Sequence, residues 1–270
     1  MSTNWSGDDY ATVSDLQRSM AEASLAGLDF SGVQRILDIG CGDGFITRSI
    51  ARRAPGAFVA GVDPSPLMIA TAHRESRTAV GGPRYVIGDV LRLPFGEHFD
   101  AVVSFNALHW AHDQRRALQQ IATVLHADGW ALVQMVCQSP RRSVEDVTQA
   151  LTAQPRWKAR FTGFTAPYFH VKPDSFAGQA RASGLQLTDC TVAEREWHFG
   201  SRDDFAHWCA VGLGAWTDRL DPADRPRFID EVVAGYESVV GAAGLVKFTQ
   251  LRATLTPAVD REHSSRSGTT

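Results

Sequence analysis

Cysteine is sparse in this sequence, and its four cysteines stand far apart, at Cys41, Cys137, Cys190 and Cys209. None of them forms a Cys-x-x-Cys pair, the spacing typical of structural zinc sites and redox-active dithiols. Four isolated thiols in a chain of 270 residues also make no disulfide scaffold. We therefore expect no metal site, and the cysteine usage favours the reducing cytoplasm.

Long basic runs and long apolar runs are missing as well. Basic residues cluster only in pairs, such as Arg115-Arg116 and Arg141-Arg142, and the formal net charge is -3. This charge gives no general attraction to a phosphate backbone, so nucleic acid is not expected as a partner. No apolar run reaches the roughly 20 residues of a membrane helix, and no apolar core follows a basic N-terminal start. We expect no membrane association and no targeting segment, while the oligomeric state stays open.

Short apolar runs alternate with amphipathic segments through the first half of the chain. The runs predict strands at 35–39, 58–63, 84–87, 100–104 and 130–137, the last preceded by a turn at Asp128-Gly129. Helices are predicted at 45–53, at 66–77 behind an N-capping Ser65, and at 113–125. This alternation is typical of α/β proteins whose parallel sheet has helices on both faces.

The pattern changes after residue 137. Residues 138–183 contain four prolines with aromatic residues between them; a strand at 185–199, helices over 201–241 and a last strand at 245–255 follow. We divide the chain into an N-terminal helical cap (1–33, with a helix at 10–28), a cofactor-binding core (34–137) and the C-terminal half of the core with substrate-covering lid inserts (138–258). A polar tail (259–270) is expected to be disordered.

The most informative motif ends the first predicted strand. After the run Ile36-Leu37-Asp38-Ile39, glycine occupies every second position, at Gly40, Gly42 and Gly44. Glycines there allow a tight turn that brings backbone N–H groups close to a ligand. The spacing is Gly-x-Gly-x-Gly, not the Gly-x-Gly-x-x-Gly of dinucleotide-binding proteins. Asp38 and Asp43 would also repel a pyrophosphate, but they suit a ligand that carries an amino group.

Through Asp38-Ile39-Gly40-Cys41-Gly42-Asp43-Gly44 the sequence resembles the class I methyltransferases, whose cofactor is S-adenosylmethionine. The resemblance covers about residues 35–137 and implies a Rossmann-like sheet of seven mostly parallel strands. It implies that Gly40, Cys41, Gly42 and Gly44 cradle S-adenosylmethionine, and that Asp38 orients this loop near the methionine amino group. Cys41 is expected to be a small residue in a crowded turn rather than a nucleophile.

Further cofactor contacts are expected at the carboxyl ends of the next strands, where open α/β sheets bind ligands. Asp63 can accept two hydrogen bonds from a ribose diol, although alone it could simply cap the helix that follows it. By resemblance, Asp89 lies near the adenine amino group and Val90 packs on the adenine ring. The remaining expected contacts are Met68, which could equally be a core methionine, and Pro64, Phe105 and Asn106.

The segment after the fourth strand, Ser104-Phe105-Asn106-Ala107-Leu108-His109-Trp110, bears on the methyl acceptor. It lacks the Pro-Pro-aromatic motif of DNA and RNA amino-methyltransferases. Leu108-His109-Trp110 resembles the Leu-(Gln/His)-Trp signature of small-molecule carboxyl methyltransferases, which include the trans-aconitate, malonyl-carrier-protein and juvenile hormone acid methyltransferases. In the last of these, a Gln of the N-terminal helix and the Trp donate hydrogen bonds to the substrate carboxylate. The resemblance implies the same roles for Gln17 and Trp110.

Each of these residues also has a plainer interpretation. Trp110 could be a buried aromatic under the lid, and Gln17 could face solvent. His109 could be a base for a hydroxyl acceptor, since an unperturbed histidine has a pKa of about 6.5. It could also donate a hydrogen bond to a carboxylate, or pack near the adenosine. A carboxylic acid, with a pKa of about 4, needs no base at neutral pH.

Aromatic residues are dense around the sixth predicted strand, at Trp157, Phe161, Phe164, Tyr168, Trp197, Phe199, Phe205, Trp208 and Trp216. They favour a hydrophobic pocket with few polar anchors. The sequence thus predicts an S-adenosylmethionine-dependent O-methyltransferase acting on a small hydrophobic acceptor, foremost a carboxylic acid. Two alternatives stay open: methylation of a hydroxyl, amine or carbon centre, and a homologue that binds the cofactor without transferring methyl.

Overall fold

The computed structural model describes residues 15–77, 82–96 and 98–258. The first part of the chain contains α1 (Asp15–Ala26), β1 (Arg35–Ile39), α2 (Phe45–Arg53), β2 (Phe58–Asp63), α3 (Pro66–Glu75), β3 (Arg84–Ile87), β4 (Phe99–Phe105), a 3-10 turn (Leu108–Trp110), α4 (Gln114–Val124) and β5 (Leu125–Val136). It continues with α5 (Val144–Thr152), α6 (Pro173–Ala182), β6 (Leu185–His198), α7 (Arg202–Gly212), α8 (Gly214–Thr217), α9 (Arg225–Val240) and β7 (Leu245–Pro257). The predicted tail at 259–270 and the start of the helix predicted at 10–28 lie outside the described residues.

Seven strands of the described residues form one sheet in the order β3-β2-β1-β4-β5-β7-β6. The strands from β1 to β5 run parallel, whereas β7 is antiparallel to both of its neighbours, β5 and β6. In the middle of the parallel part, Leu37 of β1 stands opposite Ala60 of β2 and Val102 of β4. The predicted α/β fold is therefore confirmed, and the carboxyl ends of β1, β2 and β4 meet at one edge of the sheet.

Hydrophobic clusters cover both faces of the sheet, because successive strand residues point to opposite faces. Ile36 packs with Leu25 of α1 and Ile50 of α2 on one face. Its neighbour Leu37 packs with Leu118 of α4 on the other. None of the helices within the described ranges is long and apolar enough to cross a bilayer.

A separate cluster, here called the lid cluster, joins α5, α7, α8 and α9. It is built around aromatic side chains that are almost completely buried: Trp157, Phe205, Trp216, Phe228 and Tyr236. The indole Nε1 of Trp157 donates to Glu231, and that of Trp216 donates to Gln149, so these buried rings also have their polar groups satisfied. The lid cluster is thus distinct from the clusters on the middle of the sheet, and it includes Val246 and Phe248 of β7.

Polar side chains cap the N-termini of two predicted helices. Ser65 caps α3 by accepting a hydrogen bond from the backbone N of Met68 at 3.3 Å, with Pro66 as the first helical residue. Asp113 caps α4 in the same way, accepting from the N of Arg116 at 2.9 Å. The helix predicted to end at residue 77 ends at Glu75.

The turn predicted at Asp128-Gly129 is wrong, because these residues belong to β5, which begins at Leu125 directly after α4. Leu125 pairs with Phe99 and Trp130 pairs with Ala101, so residues 126–129 stand opposite a single residue of β4. The result is a bulge. A Cβ on Gly129 would lie 2.9 Å from the backbone O of Asp100, so this close approach of two strands requires glycine.

Asp100 ties the beginning of β1 to β4. Its Oδ2 accepts hydrogen bonds from the backbone N of Gln34 and the backbone N of Arg35, both at 2.9 Å. The side chain thus places the first strand beside the fourth before the glycine loop begins.

Asp100→Ala should lower the free energy of unfolding by about 1–2 kcal/mol, because two backbone N–H groups lose a charged acceptor. The measurement is the midpoint of urea unfolding. Asp128→Ala is the matched control, since Asp128 is an exposed aspartate of the neighbouring strand. Equal midpoints for the two variants would show that Asp100 has no such role.

Candidate functional site

The glycine loop between β1 and α2 is held tightly from two sides. Gly40, Gly42 and Gly44 have φ angles of 74°, 54° and 76°, in the left-handed region that favours glycine. A Cβ on Gly40 would lie 2.1 Å from the Cβ of Ala107, and one on Gly44 would lie 2.6 Å from the Oη of Tyr85. At Gly42 a Cβ would meet nothing within 4 Å. Protein therefore packs against both ends of the loop, and its middle faces open space.

Asp63, the last residue of β2, is bonded to this loop. Its Oδ2 accepts from the N of Gly42 at 3.0 Å, and its Oδ1 accepts from the N of Ser65 at 2.8 Å. Burial raises the pKa of Asp63, while the two backbone hydrogen bonds act to lower it. These bonds fix the carboxylate at the edge of the loop.

Two further acids surround the loop, but neither is a free anion beside the open space. Asp38 is buried and accepts a hydrogen bond from Oγ1 of Thr47 at 2.7 Å, and burial raises its pKa to about 7. Asp43, expected to suit a ligand's amino group, is paired at 2.6 Å with Arg18 of α1. The Arg18 guanidinium also lies 4.5 Å from the ring centroid of Phe45. The expectation for Asp43 is therefore corrected: its charge attaches α1 to the loop.

The segment after β4 brings strained backbone and unpartnered polar atoms to the same place. Asn106 has a φ of 53°, and its backbone N donates to the O of Gln134 at 2.7 Å. Its side-chain Oδ1 and Nδ2 are buried without a hydrogen-bond partner among the described residues, as are Oε1 of Gln17 and Nδ1 of His109. Buried polar atoms are normally bonded, so this group points to a ligand.

These residues line one cavity of about 220 Å³. Its first end is formed by the glycine loop and residues 63–65 and 68, and its second end by α5, α7, α9 and β7 of the lid. Leu16, Gln17 and Met20 of α1 also line this cavity, as do residues 105–107, 109 and 110. A single water needs only roughly 10–15 Å³, so the space suits organic ligands.

Comparison with known proteins shows the family to which the chain belongs. A family model described as a methyltransferase domain matches residues 37–133. The trans-aconitate 2-methyltransferase of Mycobacterium marinum is 30% identical over 231 residues, which make up 85% of each chain. The chain belongs to the class I S-adenosylmethionine-dependent methyltransferases. The malonyl-[acyl-carrier protein] O-methyltransferase of Halorhodospira halophila is 35% identical over 127 residues, 46% of this chain and 43% of the relative.

Solved structures of similar shape agree with the fold of this methyltransferase. Phosphoethanolamine N-methyltransferase 2 of Haemonchus contortus, in complex with S-adenosyl-L-methionine, has a TM-score of 0.57 at 20% identity, over 88% of this chain and 52% of that one. The cyclase SpnF has a TM-score of 0.60 at 19% identity, over 90% of this chain and 82% of that one. At these identities the likeness establishes the Rossmann-like architecture alone.

The cofactor of this methyltransferase is S-adenosylmethionine, and the residues of the cavity fit that molecule. The open space at Gly42 leaves room for a ligand against the backbone, and the unpartnered amide of Asn106 offers both a donor and an acceptor. The carboxylate of Asp63 accepts two hydrogen bonds from the backbone and can still accept further hydrogen bonds from a ligand. The hydroxyl and amino groups of S-adenosylmethionine can form hydrogen bonds with this carboxylate and this amide.

Most of the predicted site residues lie together. Those that line the cavity are Gln17, Gly40, Gly42, Asp63, Pro64, Met68, Phe105, Asn106, His109 and Trp110. Gln17 therefore does not point to bulk solvent. Trp110 is half-buried, and its ring also meets Trp216 edge-on at 6.4 Å, so it faces the cavity and the lid cluster together.

The other predicted residues stand outside the cavity lining. Asp38 lies behind the loop, Gly44 forms the end of the loop that packs against Tyr85, and Cys41 packs in a small buried cluster with the same tyrosine. Burial raises the pKa of the Cys41 thiol well above its usual range, as expected for a packing residue rather than a nucleophile. Asp89 is exposed in the turn after β3, where its Oδ1 accepts from the N of Leu91 at 2.9 Å, and Val90 packs against the main core.

The lid differs from the sequence-based expectation in two ways. Of the aromatic residues expected over the acceptor, only Trp208 lines the cavity, because most of the others pack against each other in the lid cluster. The lid instead contributes polar residues that the sequence analysis missed: Ser143, Glu145, Tyr236 and Lys247. Their one visible signal was the Ser143-x-x-Asp146 spacing, a capping box that begins α5 one residue after Ser143.

Gly40→Ala should weaken binding of S-adenosylhomocysteine at least about tenfold, because the new methyl group would push the loop away from Ala107. Isothermal titration calorimetry measures the affinity. Gly178→Ala is the control, since a Cβ at this position of α6 would meet nothing within 4 Å. Normal binding by Gly40→Ala would contradict the tight packing of the loop.

Proposed function

We propose that this methyltransferase transfers the methyl group to a carboxylate oxygen of a small hydrophobic acid. The observation that carries the proposal is the state of His109, the histidine that a hydroxyl acceptor would use as its base. Burial, aided by the nearby His170, lowers the pKa of His109 to about 3. An imidazole with that pKa is too weak a base to deprotonate an alcohol or a phenol efficiently near pH 7. A carboxylic acid is already ionised there.

The walls of the cavity support an acceptor of this kind. Gln17 and Trp110 line it beside His109, and both side chains carry N–H groups that can donate to a carboxylate. The Oε1 of Gln17 has no hydrogen-bond partner among the described residues. The side-chain amide can therefore rotate by 180° without breaking a hydrogen bond of Oε1, and this rotation would turn its NH2 group toward the cavity. Leu16 and Met20 add apolar surface from α1. We assign the carboxylate of the acceptor to Gln17 and Trp110, with neutral His109 next to them.

For the cofactor, we assign the ribose diol to Asp63 and the methionine part to the glycine loop with Asn106. Asp38 lies behind the loop, where the Thr47 hydroxyl stabilises its ionised form and a positive ligand charge would do so further. Asp89 and Val90 keep the adenine roles that the family resemblance implies. In this arrangement α1 acts as a cap over the cofactor.

S-adenosylmethionine, when bound, supplies an electrophilic methyl group on a sulfonium leaving group. Gln17 and Trp110 would hold an acceptor carboxylate that is already ionised, so the site would not have to remove a proton before the methyl group is transferred. No proton moves in this step, so the protein contributes alignment and exclusion of water. The two relatives named above also support the proposal, because trans-aconitate and a malonyl group both carry carboxylates.

The direct test uses S-adenosylmethionine labelled in its methyl group with a panel of lipophilic acids, phenols and amines. We expect label in the acids, and mild alkali should release it as volatile methanol, because methyl esters are hydrolysed there. Alkali-stable label would overturn the proposal in favour of a hydroxyl, amine or carbon acceptor. Cofactor binding with no transfer to any acceptor would indicate a homologue that does not catalyse methylation.

The pH dependence of acceptor kcat/KM, measured at saturating S-adenosylmethionine, gives a second test. With a pKa of about 3, His109 is neutral throughout pH 5.5–8, so no rising limb near pH 6.5 should come from it. His109→Gln should leave the shape of the profile unchanged. A limb that disappears in His109→Gln would identify a catalytic base and contradict the proposal. A limb that persists there belongs to another group, such as Asp38 with its pKa of about 7.

A further inference from the structure

Glu145 is a buried acid at the lid end of the cavity. It lies in the first turn of α5, is 9% exposed and lines the cavity. Glu145 takes no part in the capping box at the start of α5. In that box Ser143 Oγ accepts from the N of Asp146 at 3.0 Å, and Asp146 Oδ2 accepts from the N of Ser143 at 2.9 Å. Glu145 therefore stands in a helix start whose caps are supplied by other side chains.

No hydrogen bond or ion pair links the Glu145 side chain to any residue within 15–77, 82–96 and 98–258. The neighbouring cations bind other residues, although Nη1 of Arg141 is buried without a hydrogen-bond partner among the described residues. Arg141 pairs with Glu194 at 3.0 Å, Arg142 donates to the backbone O of Asp146 at 3.1 Å, and Lys247 pairs with Glu196 at 3.1 Å. The carboxylate of this mostly buried side chain therefore stands at the cavity wall without a protein partner, in a first helical turn that favours negative charge.

The surroundings of Glu145 place it away from the cofactor end. Burial raises the pKa of Tyr236 to about 12, and the negative charge of Glu145 adds to this. The same two causes raise the pKa of Cys209 on α7. Tyr236 and Trp208 line the cavity beside Glu145, whereas Gly42 and Asp63 belong to its other end. Glu145 therefore lies among the cavity residues contributed by α5, α7 and α9, apart from those of the glycine loop.

We infer that Glu145 selects the acceptor: an apolar monocarboxylic acid bearing a second group, a hydroxyl or an ammonium, that donates a hydrogen bond. Such a group satisfies the unpartnered carboxylate. A second carboxylate on the acceptor would instead place two anions together, while Lys247, which also lines the cavity, is paired with Glu196. This inference rests on the proposed carboxyl methylation, and it distinguishes the chain from relatives named for the polyanion trans-aconitate.

The test compares straight-chain acids of equal length that end in methyl, hydroxyl, ammonium or carboxylate, over several chain lengths. For the wild-type protein, kcat/KM should be highest for the hydroxyl or ammonium series and lowest for the dicarboxylates. Comparing the hydroxyl series with the ammonium series identifies which of the two groups donates the hydrogen bond to Glu145. Dicarboxylates turned over as well as the best donor-bearing acid would overturn the inference without any variant.

Glu145→Gln should raise kcat/KM for the dicarboxylates at least about tenfold and remove any preference for ammonium, while the amide oxygen still accepts from a hydroxyl. Glu22→Gln is the matched control, because it makes the same charge change at an exposed position of α1 that does not line the cavity. It should leave every ratio unchanged. If methyl esters form but Glu145→Gln does not alter the kcat/KM ratios between the acids, the inference about Glu145 is refuted and the proposed function is not. No alkali-labile label from any acid would refute the proposed function, and the inference with it.

Discussion

The site depends on how closely two backbone segments approach at the carboxyl ends of β1 and β4. Gly40 and Ala107 leave no room for a side chain between them, since a Cβ on the glycine would lie 2.1 Å from that of the alanine. This contact sets the loop beside Asn106, whose left-handed backbone is anchored to Gln134 on β5. Asp63 then holds the middle of the loop from β2. Three neighbouring parallel strands thus position the cofactor end of the cavity.

Sequence reasoning worked best where a signal is local. The bounds predicted for β1, α2, β2 and β3 agree with the structure, because glycines, prolines and capping residues mark both ends of each element. Most of the predicted cofactor residues also line the cavity, since parallel strands bring their carboxyl ends to one edge whatever the details of packing. The motif and the topology together thus predicted residues that line the cavity, and their roles toward the cofactor stay predictions.

The remainder depends on contacts that are distant along the chain. Nothing near Asp128-Gly129 shows that β4 would approach Gly129 so closely that the segment forms a bulge rather than a turn. Aromatic residues in the lid have the same composition whether they face a ligand or each other, and most of them face each other. Glu145 carries no local signal in the sequence that would mark it as a cavity residue. Only the packing of α5 against α9 places it in the cavity.

The separate hydrophobic cluster of the lid has a consequence for evolution. Cavity residues such as Trp208 and Tyr236 belong to or pack on that cluster, whereas the helices and strands behind the glycine loop are stabilised by clusters on the sheet. Substitutions around Trp208 and Tyr236 therefore change the packing of the lid cluster and leave the contacts within the sheet clusters in place. A chain partitioned in this way can diverge in what it methylates while inheriting, unchanged, the apparatus for its cofactor.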